Sequence, residues 1–259
     1  SDLLGGAGGP LAVLIIAIVA SELGKAVSKE TRVDILVTPL VTIFSGVGLS
    51  MLIAAPIGAA ASQVGTLIMW ATEQAPLVMG ILVSVIVGVA LTLPISSAAI
   101  CAALGLTGLA GGAAVAGCCA QMIGFAVMSY KENGVGGLVS QGLGTSMLQM
   151  GNIVKNPRIW IAPTLASAIT GPLATCVFHF EMNGAAVSSG MGTCGLVGQI
   201  GVYTGWVSDI AAGTKAAITP MDWAAMVLLC FVLPAVLSVI FCEIERKLGW
   251  IKEGDLKLN

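Results

Sequence analysis

Apolar residues in this chain come in runs long enough to cross a bilayer, and the short polar breaks between them define the elements. Residues 3–20 are uncharged and end in Ser21-Glu22-Leu23-Gly24-Lys25. About twenty apolar residues span a hydrocarbon core, so this is a first span of near-minimum length. Residues 33–55 form a second. Pro56 opens residues 57–75, where Gln63, Trp70, Thr72 and Glu73 interrupt the apolar face as in a helix lying at the interface. Residues 76–94, rich in Val and Ile, are a third span. The next dozen residues are too short to cross and fit a re-entrant turn. Residues 107–130 carry Gly108, Gly111, Gly112 and Gly117 and predict a fourth span deep in the bundle, because small side chains let helix backbones approach in lipid.

Lys131-Glu132-Asn133-Gly134 is a polar turn. Residues 135–154 are uncharged but hold Ser140, Gln141, Thr145, Ser146, Gln149 and Asn152, a composition that suits an interior span or a broken helix. After Lys155-Asn156-Pro157-Arg158, residues 160–180 form a sixth span anchored by Trp160, with Pro163 and Pro172 as expected kinks. Residues 221–242 are the last, and 243–259 a charged tail. A weak echo links Gly58-Ala59-Ala60-Ala61-Ser62 to Gly184-Ala185-Ala186-Val187-Ser188, which a duplicated transporter half would produce and a Gly- and Ala-rich composition would produce equally.

The stretch 176–201 stands apart. It follows an apolar span directly yet contains the single histidine, a carboxylate, an asparagine and a run of glycines. Broken backbone of this kind persists at membrane depth only where it lines a polar cavity inside protein. The charge pattern suggests its course. Short loops rich in Lys and Arg face the cytoplasm. If residues 181–208 enter and leave on one side, Lys25, Lys29, Arg32, Lys155, Arg158, Arg246, Lys247, Lys252 and Lys257 share a face, with Lys131 and Lys215 opposite. The expectation is therefore seven spans plus one re-entrant segment, a membrane-embedded region over 1–242 and a cytoplasmic tail over 243–259.

Composition makes the same case for a membrane protein. Of 259 residues, 57% are hydrophobic and 9% charged, against about 25% charged in a soluble domain. The Lys and Arg residues are spread thinly, which gives no support for nucleic acid as a partner. The seven cysteines lie in apolar or small-residue stretches and read as buried thiols. Their spacing and the lone histidine do not suit a metal site, and no cofactor is expected. Ser1-Asp2 precedes no basic segment of the kind a signal peptide carries.

Gly190-Met191-Gly192-Thr193-Cys194-Gly195 matches the dinucleotide fingerprint, but that motif needs a preceding strand and a following helix. What survives is a flexible run whose backbone groups could face a ligand. Glu181 is the most informative side chain. At membrane depth a carboxylate serves a ligand, an ion or a proton, whereas a position near the interface would let it simply end the sixth span. Asn183 follows it closely. His179 reads either as a site residue or as a packing residue. Gln121, Gln141, Gln149, Asn152 and Gln199 can read hydroxyl groups, by donating and accepting together, or join helices to one another. No Walker A, H-E-x-x-H or G-x-S-x-G run is present, so nothing indicates an enzyme.

Residues 91–100 (LTLPISSAAI), 117–126 (GCCAQMIGFA), the pair GMGT and GLVGQIG within 190–201, and KNPRIW over 155–160 together resemble the IIC-like membrane proteins of the bacterial sugar phosphotransferase system. Within these they look most similar to the perfringolysin-regulator (PfoR-like) subfamily. The resemblance covers most of the chain. It implies an all-α, polytopic, IIC-like protein of a bacterial inner membrane, a homodimer, and a separate IIB-type protein as a further partner. The chain departs from the glucose-type members in having no G-I-T-E run and no phosphoryl-accepting IIA or IIB domain. The function expected is alternating-access transport of a small polar solute, of which a carbohydrate is the leading case. The competing expectation is a membrane sensor that binds a ligand or partner without net transport. Glu181, Asn183, Gly190, Gly192, Thr193, Gln199, Gln121 and His179 are the expected solute contacts.

Overall fold

The computed structural model describes residues 9–28 and 34–258. Ser1, Asp2, residues 3–8 of the expected first span, and Lys29 and Arg32 of the first basic loop lie outside the described residues. Every regular element among the described residues is helical, and the one β-bridge there pairs Gly108 with Met182. Four helices among the described residues are long and apolar enough to cross a membrane: Asp34–Gln74, Gly108–Met128, Pro157–Val177 and Pro220–Lys247. Pro76–Thr92 is a shorter apolar helix.

The chain divides into two compact units, one holding residues up to 66 together with 102–104, the other the remainder. In the first, α1 (Gly9–Val27) packs on α2 (Asp34–Leu49). Ala12, Ile16 and Ala54 form its small core, flanked by Leu49, Ile53 and Ile57. The expected interfacial helix is instead the continuation of α2. Ser50–Ala54 is a π-turn leading directly into α3 (Ala55–Gln74), and the whole runs 41 residues. Pro56 lacks the N–H that an α-turn would use, and the wider turn just before it accommodates that loss without a break.

The second unit is a bundle built around α6 (Gly108–Met128), which touches α4 (Pro76–Thr92), α9 (Ile161–Pro172) and α13 (Leu233–Lys247). Nearly every side chain of α6 is buried, as its small residues predict. A Cβ on Gly112 would land on the carbonyl of Phe180, so the neighbouring chain lies against bare backbone there. At the Gly108 end the core gathers Val115, Phe180, Met182, Val202, Trp206 and Leu229. At the Met128 end it gathers Phe125, Ile153, Ile159, Cys242, Ile251 and Leu256. The seven cysteines are all free.

The prolines act differently from expectation. Pro163 is the third residue of α9, in the first turn, where a helix has no partner for the donor it lacks. Pro172 does mark a change, since the π-turn Leu173–Val177 follows it. Leu228–Val232, between α12 (Pro220–Val227) and α13, is another π-turn placed just ahead of a proline, Pro234.

Residues 135–154 do not cross. The chain leaves α6, forms α7 (Tyr130–Val139), turns through Ser140–Gly144 and Ser146–Gln149, and returns as α8 (Met150–Lys155). Both ends of this hairpin meet the segment that follows α13. Asn133 Nδ2 donates to the Leu256 carbonyl, and Asn152 Nδ2 to that of Lys257. Lys131 likewise pairs with Glu243 at 2.9 Å. It therefore sits at the same end as Arg246 and Lys247, not opposite them. Counting this hairpin as a full span is what puts Lys131 on the wrong side.

Candidate functional site

The stretch singled out by composition is re-entrant. Met182 exchanges both backbone hydrogen bonds with Gly108, each at 3.0 Å, which pins its start beside the first residue of α6. From there it descends through α10 (Ala186–Ser189), where Ser97 Oγ donates to the Gly190 carbonyl at 2.6 Å. Gly192 reaches Cys118 and Cys119, about 15 Å along α6 at 1.5 Å per residue. Gly192 has φ of 53°, a left-handed conformation that favours glycine, and a Cβ there would strike the α6 backbone. The chain then returns as α11 (Val197–Ala211), and Asp209 on its last turn comes back to Asn183. The tip thus lies near mid-depth of α6 and both ends lie at the Gly108 end.

At that end a cleft of about 530 Å³ opens. His179, Glu181 and Asn183 line it together with Phe178, Trp206, Asp209, Lys215 and Asp222. Local chain geometry aims these groups. The backbone N–H of Phe180 donates to Ala174 O, and His179 adopts φ of 44°, so the chain swings out of the π-turn and carries Glu181 into the cleft.

Asn183 organises the acidic wall. Its Nδ2 donates one hydrogen to Glu181 Oε2 at 3.0 Å and the other to Asp209 Oδ2 at 2.9 Å. Its Oδ1 accepts from Gly108 N at 3.1 Å. An amide has two donors and one carbonyl oxygen, so both hydrogens of Asn183 are committed within the protein. The free acceptor capacity belongs to the two carboxylates. Opposite them Lys215 Nζ pairs with Asp222 Oδ1 at 2.7 Å and lies 5.7 Å from the Trp206 ring. Asp222 also caps α12 through a reciprocal bond with Thr219. Trp206 is held edge-on by Trp223, with centroids 5.5 Å apart.

The other expected contacts lie deeper, away from the cleft. Thr193 is fully buried and donates to the carbonyl of Gly142. Gln199 Nε2 points at Cys119 Sγ at 3.3 Å, while its Oε1 is buried without a partner. Gln121 is fully buried and takes Trp160 Nε1 at 2.9 Å and Thr92 Oγ1 at 3.2 Å on its oxygen, while its nitrogen donates to Thr164 Oγ1. It ties α4, α6 and α9 together. Gln141, Gln149 and Asn152 form a ladder: Gln141 donates to Ser129 Oγ, Gln149 to Gln141 Oε1, and Asn152 to Gln149 Oε1. The bonds of Gln121, Gln141, Gln149 and Asn152 join segments of the chain to one another.

Sequence reasoning leaves Asp209, Lys215 and Asp222 out of the site. A signal exists in that these charged residues fall within fourteen positions of one another beside Trp206, in a chain with few charges.

No match was found among curated proteins or among solved structures. The family model described as phosphotransferase system, EIIC, matches residues 1–258. A match over essentially the whole chain, on a helical bundle with membrane-crossing helices and re-entrant segments, places this protein in the phosphotransferase system EIIC family of membrane proteins.

Proposed function

We propose that the protein moves a small polar solute across the membrane by alternating access, with a carbohydrate as the leading solute class. The observation that carries this reading is the cleft at the Gly108 end, where Asn183 holds Glu181 and Asp209 side by side with acceptor lone pairs to spare. Carboxylates accept and never donate when ionised, so they select ligands rich in hydroxyl or ammonium hydrogens. Phe178 and Trp206 supply apolar walls, which suits a solute with both polar edges and carbon faces. The buried hairpin residues Gly190, Gly192, Thr193 and Gln199, together with Gln121, serve as the frame that must rearrange if the cleft is to communicate with the other end.

Orientation follows from charge. Lys131, Lys155, Arg158, Arg246, Lys247, Lys252 and Lys257 belong to the Met128 end, where Lys131 meets Glu243, Asn156 bonds Trp250 O and the Arg158 guanidinium lies over the Trp250 ring at 5.7 Å. Lys215 is at the cleft. Positive loops face the cytoplasm, so the basic end is inside and the cleft opens outward. The expected cytoplasmic tail of residues 243–259 then lies inside, in a bacterial plasma membrane, with its first five residues forming the end of α13. A homodimer and a separate IIB-type partner remain part of the proposal by family.

The alternative is a sensor of the perfringolysin-regulator type that binds without moving its ligand. Uptake by the full chain in proteoliposomes, across sugars, polyols and cationic solutes, separates the two. Saturable uptake abolished by Glu181→Gln or Asp209→Asn in a folded protein supports transport at this cleft. Binding without flux supports the sensor, and unchanged uptake in both variants would refute the site.

A further inference from the structure

We infer that residues 248–258, which follow α13, form a strap that locks the basic-end hairpin of residues 130–155 in its inserted position. This lock does not depend on which solute the cleft accepts. Four amide side chains on or just after that hairpin grip the strap. Asn133 donates from Nδ2 to Leu256 O at 2.8 Å and accepts Leu258 N on Oδ1 at 2.8 Å. Gln149 donates to the same Leu256 carbonyl at 3.0 Å, and Asn152 to Lys257 O at 2.9 Å. Asn156 donates to Trp250 O and to Asp255 Oδ2, each at 2.9 Å.

On the strap, these side chains meet backbone groups or Asp255 in a short turn, not a helix face, so the grip is on an irregular segment. Apolar plugs complete it. Leu256 is fully buried and Ile251 nearly so, in one cluster with Met128, Ile153 and Cys242. The hairpin that this strap covers is itself poorly suited to stand alone. It is built from two short helices, a π-turn and a 3₁₀ turn, and of its large apolar side chains only Ile153 is buried; elements of that kind sit at the low-stability end of a protein.

The strap reaches the middle of the protein through the amide ladder. Leu256 O is held by Gln149, Gln149 donates to Gln141 Oε1, and Gln141 lies next to Gly142, whose carbonyl receives the Thr193 hydroxyl. Withdrawal of the hairpin tip therefore requires release of the strap, because Gln149 cannot move with the hairpin and keep Leu256. A partner or condition that lifts residues 248–258 would free the hairpin tip while leaving the cleft at the Gly108 end untouched.

Hydrogen exchange followed by mass spectrometry on the full chain in nanodiscs tests this. Leu256→Asp removes the plug, and Asn133→Ala removes two strap bonds without touching the hairpin tip. Exchange over residues 139–150 is expected to accelerate by about tenfold or more in both, with residues 161–172 of α9 unchanged. Faster exchange confined to 248–258, with 139–150 protected as in the parent, would overturn the lock. Should Leu256→Asp fail to fold, Asn133→Ala and Asn156→Ala carry the comparison, and parental exchange of the hairpin in both overturns it equally.

Discussion

The hydroxyl of Thr193 donates to the carbonyl of Gly142, and through this buried bond two hairpins from opposite ends of the bundle meet tip to tip. One descends from the acidic cleft, the other rises from the basic end. At the meeting point Gln141, Gly142, Gly192 and Thr193 are buried, so the broken backbone there is packed inside protein, the arrangement in which irregular peptide groups are tolerated at depth. Thr193→Val keeps the shape and deletes the donor, leaving the Gly142 oxygen buried without it. The expected cost is about 1–3 kcal/mol, read as a lower unfolding midpoint in detergent, with Thr193→Ser close to the parent. A Val variant as stable as the parent would show that the tips are held by packing alone.

Gly192 supplies the turn that brings Thr193 into place. Its φ of 53° and its contact with the α6 backbone exclude a side chain for two separate reasons. Gly192→Ala should therefore destabilise by about 2 kcal/mol or more, exceeding the loss from Thr193→Val. Comparing the two midpoints side by side checks the order.

At the cleft, Asn183 keeps two carboxylates adjacent by donating to both. Asn183→Asp replaces two donors by a further acceptor and places three carboxyl groups together. The variant should lose about 1–3 kcal/mol, and Asp209→Asn in the same chain should restore part of it. A double-mutant cycle on thermal unfolding measures the coupling. Strict additivity would mean that the amide does not bridge the pair.

Much of this layout is legible in the residues. The small-residue run over 107–130 announces a buried helix, and α6 is one. The glycine stretch after Phe180 is readable as re-entrant because its polar and glycine-rich composition marks broken backbone and the distribution of Lys and Arg favours its entering and leaving on one side. Residues 135–154 are not readable in the same way. A polar, uncharged twenty-residue segment has the length of a span, and only the bonds of Asn133 and Asn152 to the same strap show that both its ends share one side. The placement of Lys131 fails with it, since a charge can be assigned to a face only once the crossing count is right. Asp209, Lys215 and Asp222 escape notice in the sequence because they meet Glu181 and Asn183 only after α11 returns. Pro56 looks like an end because sequence does not reveal that a π-turn will absorb its missing donor.

Two ion pairs at the basic end invite opposite expectations. Lys131 and Glu243 expose 72% and 45% of their side chains, whereas Arg246 and Glu132 expose 15% and 10%. Lys131→Ala should leave the unfolding midpoint unchanged, because an exposed pair gains little over its hydration. Arg246→Ala strands Glu132, whose second oxygen already lacks a partner, and should lower the midpoint clearly. Arg246→Lys would recover only part of the loss, since a single ammonium does not reproduce the guanidinium fork.

Gln121 offers the sharpest separation between a frame residue and a solute contact. Its oxygen collects Trp160 Nε1 and Thr92 Oγ1 while its nitrogen reaches Thr164, so one side chain satisfies groups from α4, from α9 and from the turn before α9. Gln121→Leu leaves the indole N–H of Trp160 without its acceptor in an apolar junction, and about 2–4 kcal/mol should be lost as several partners go unpaired together. Gln121→Glu keeps the acceptor and should be less disruptive to Trp160, though it costs the bond to Thr164. If Gln121 belongs to the frame, Gln121→Leu lowers stability while ligand affinity in the fraction that folds stays within about twofold of the parent. If affinity falls by tenfold or more with the midpoint preserved, Gln121 touches the solute and the binding site extends from the cleft to the level where the two hairpin tips meet.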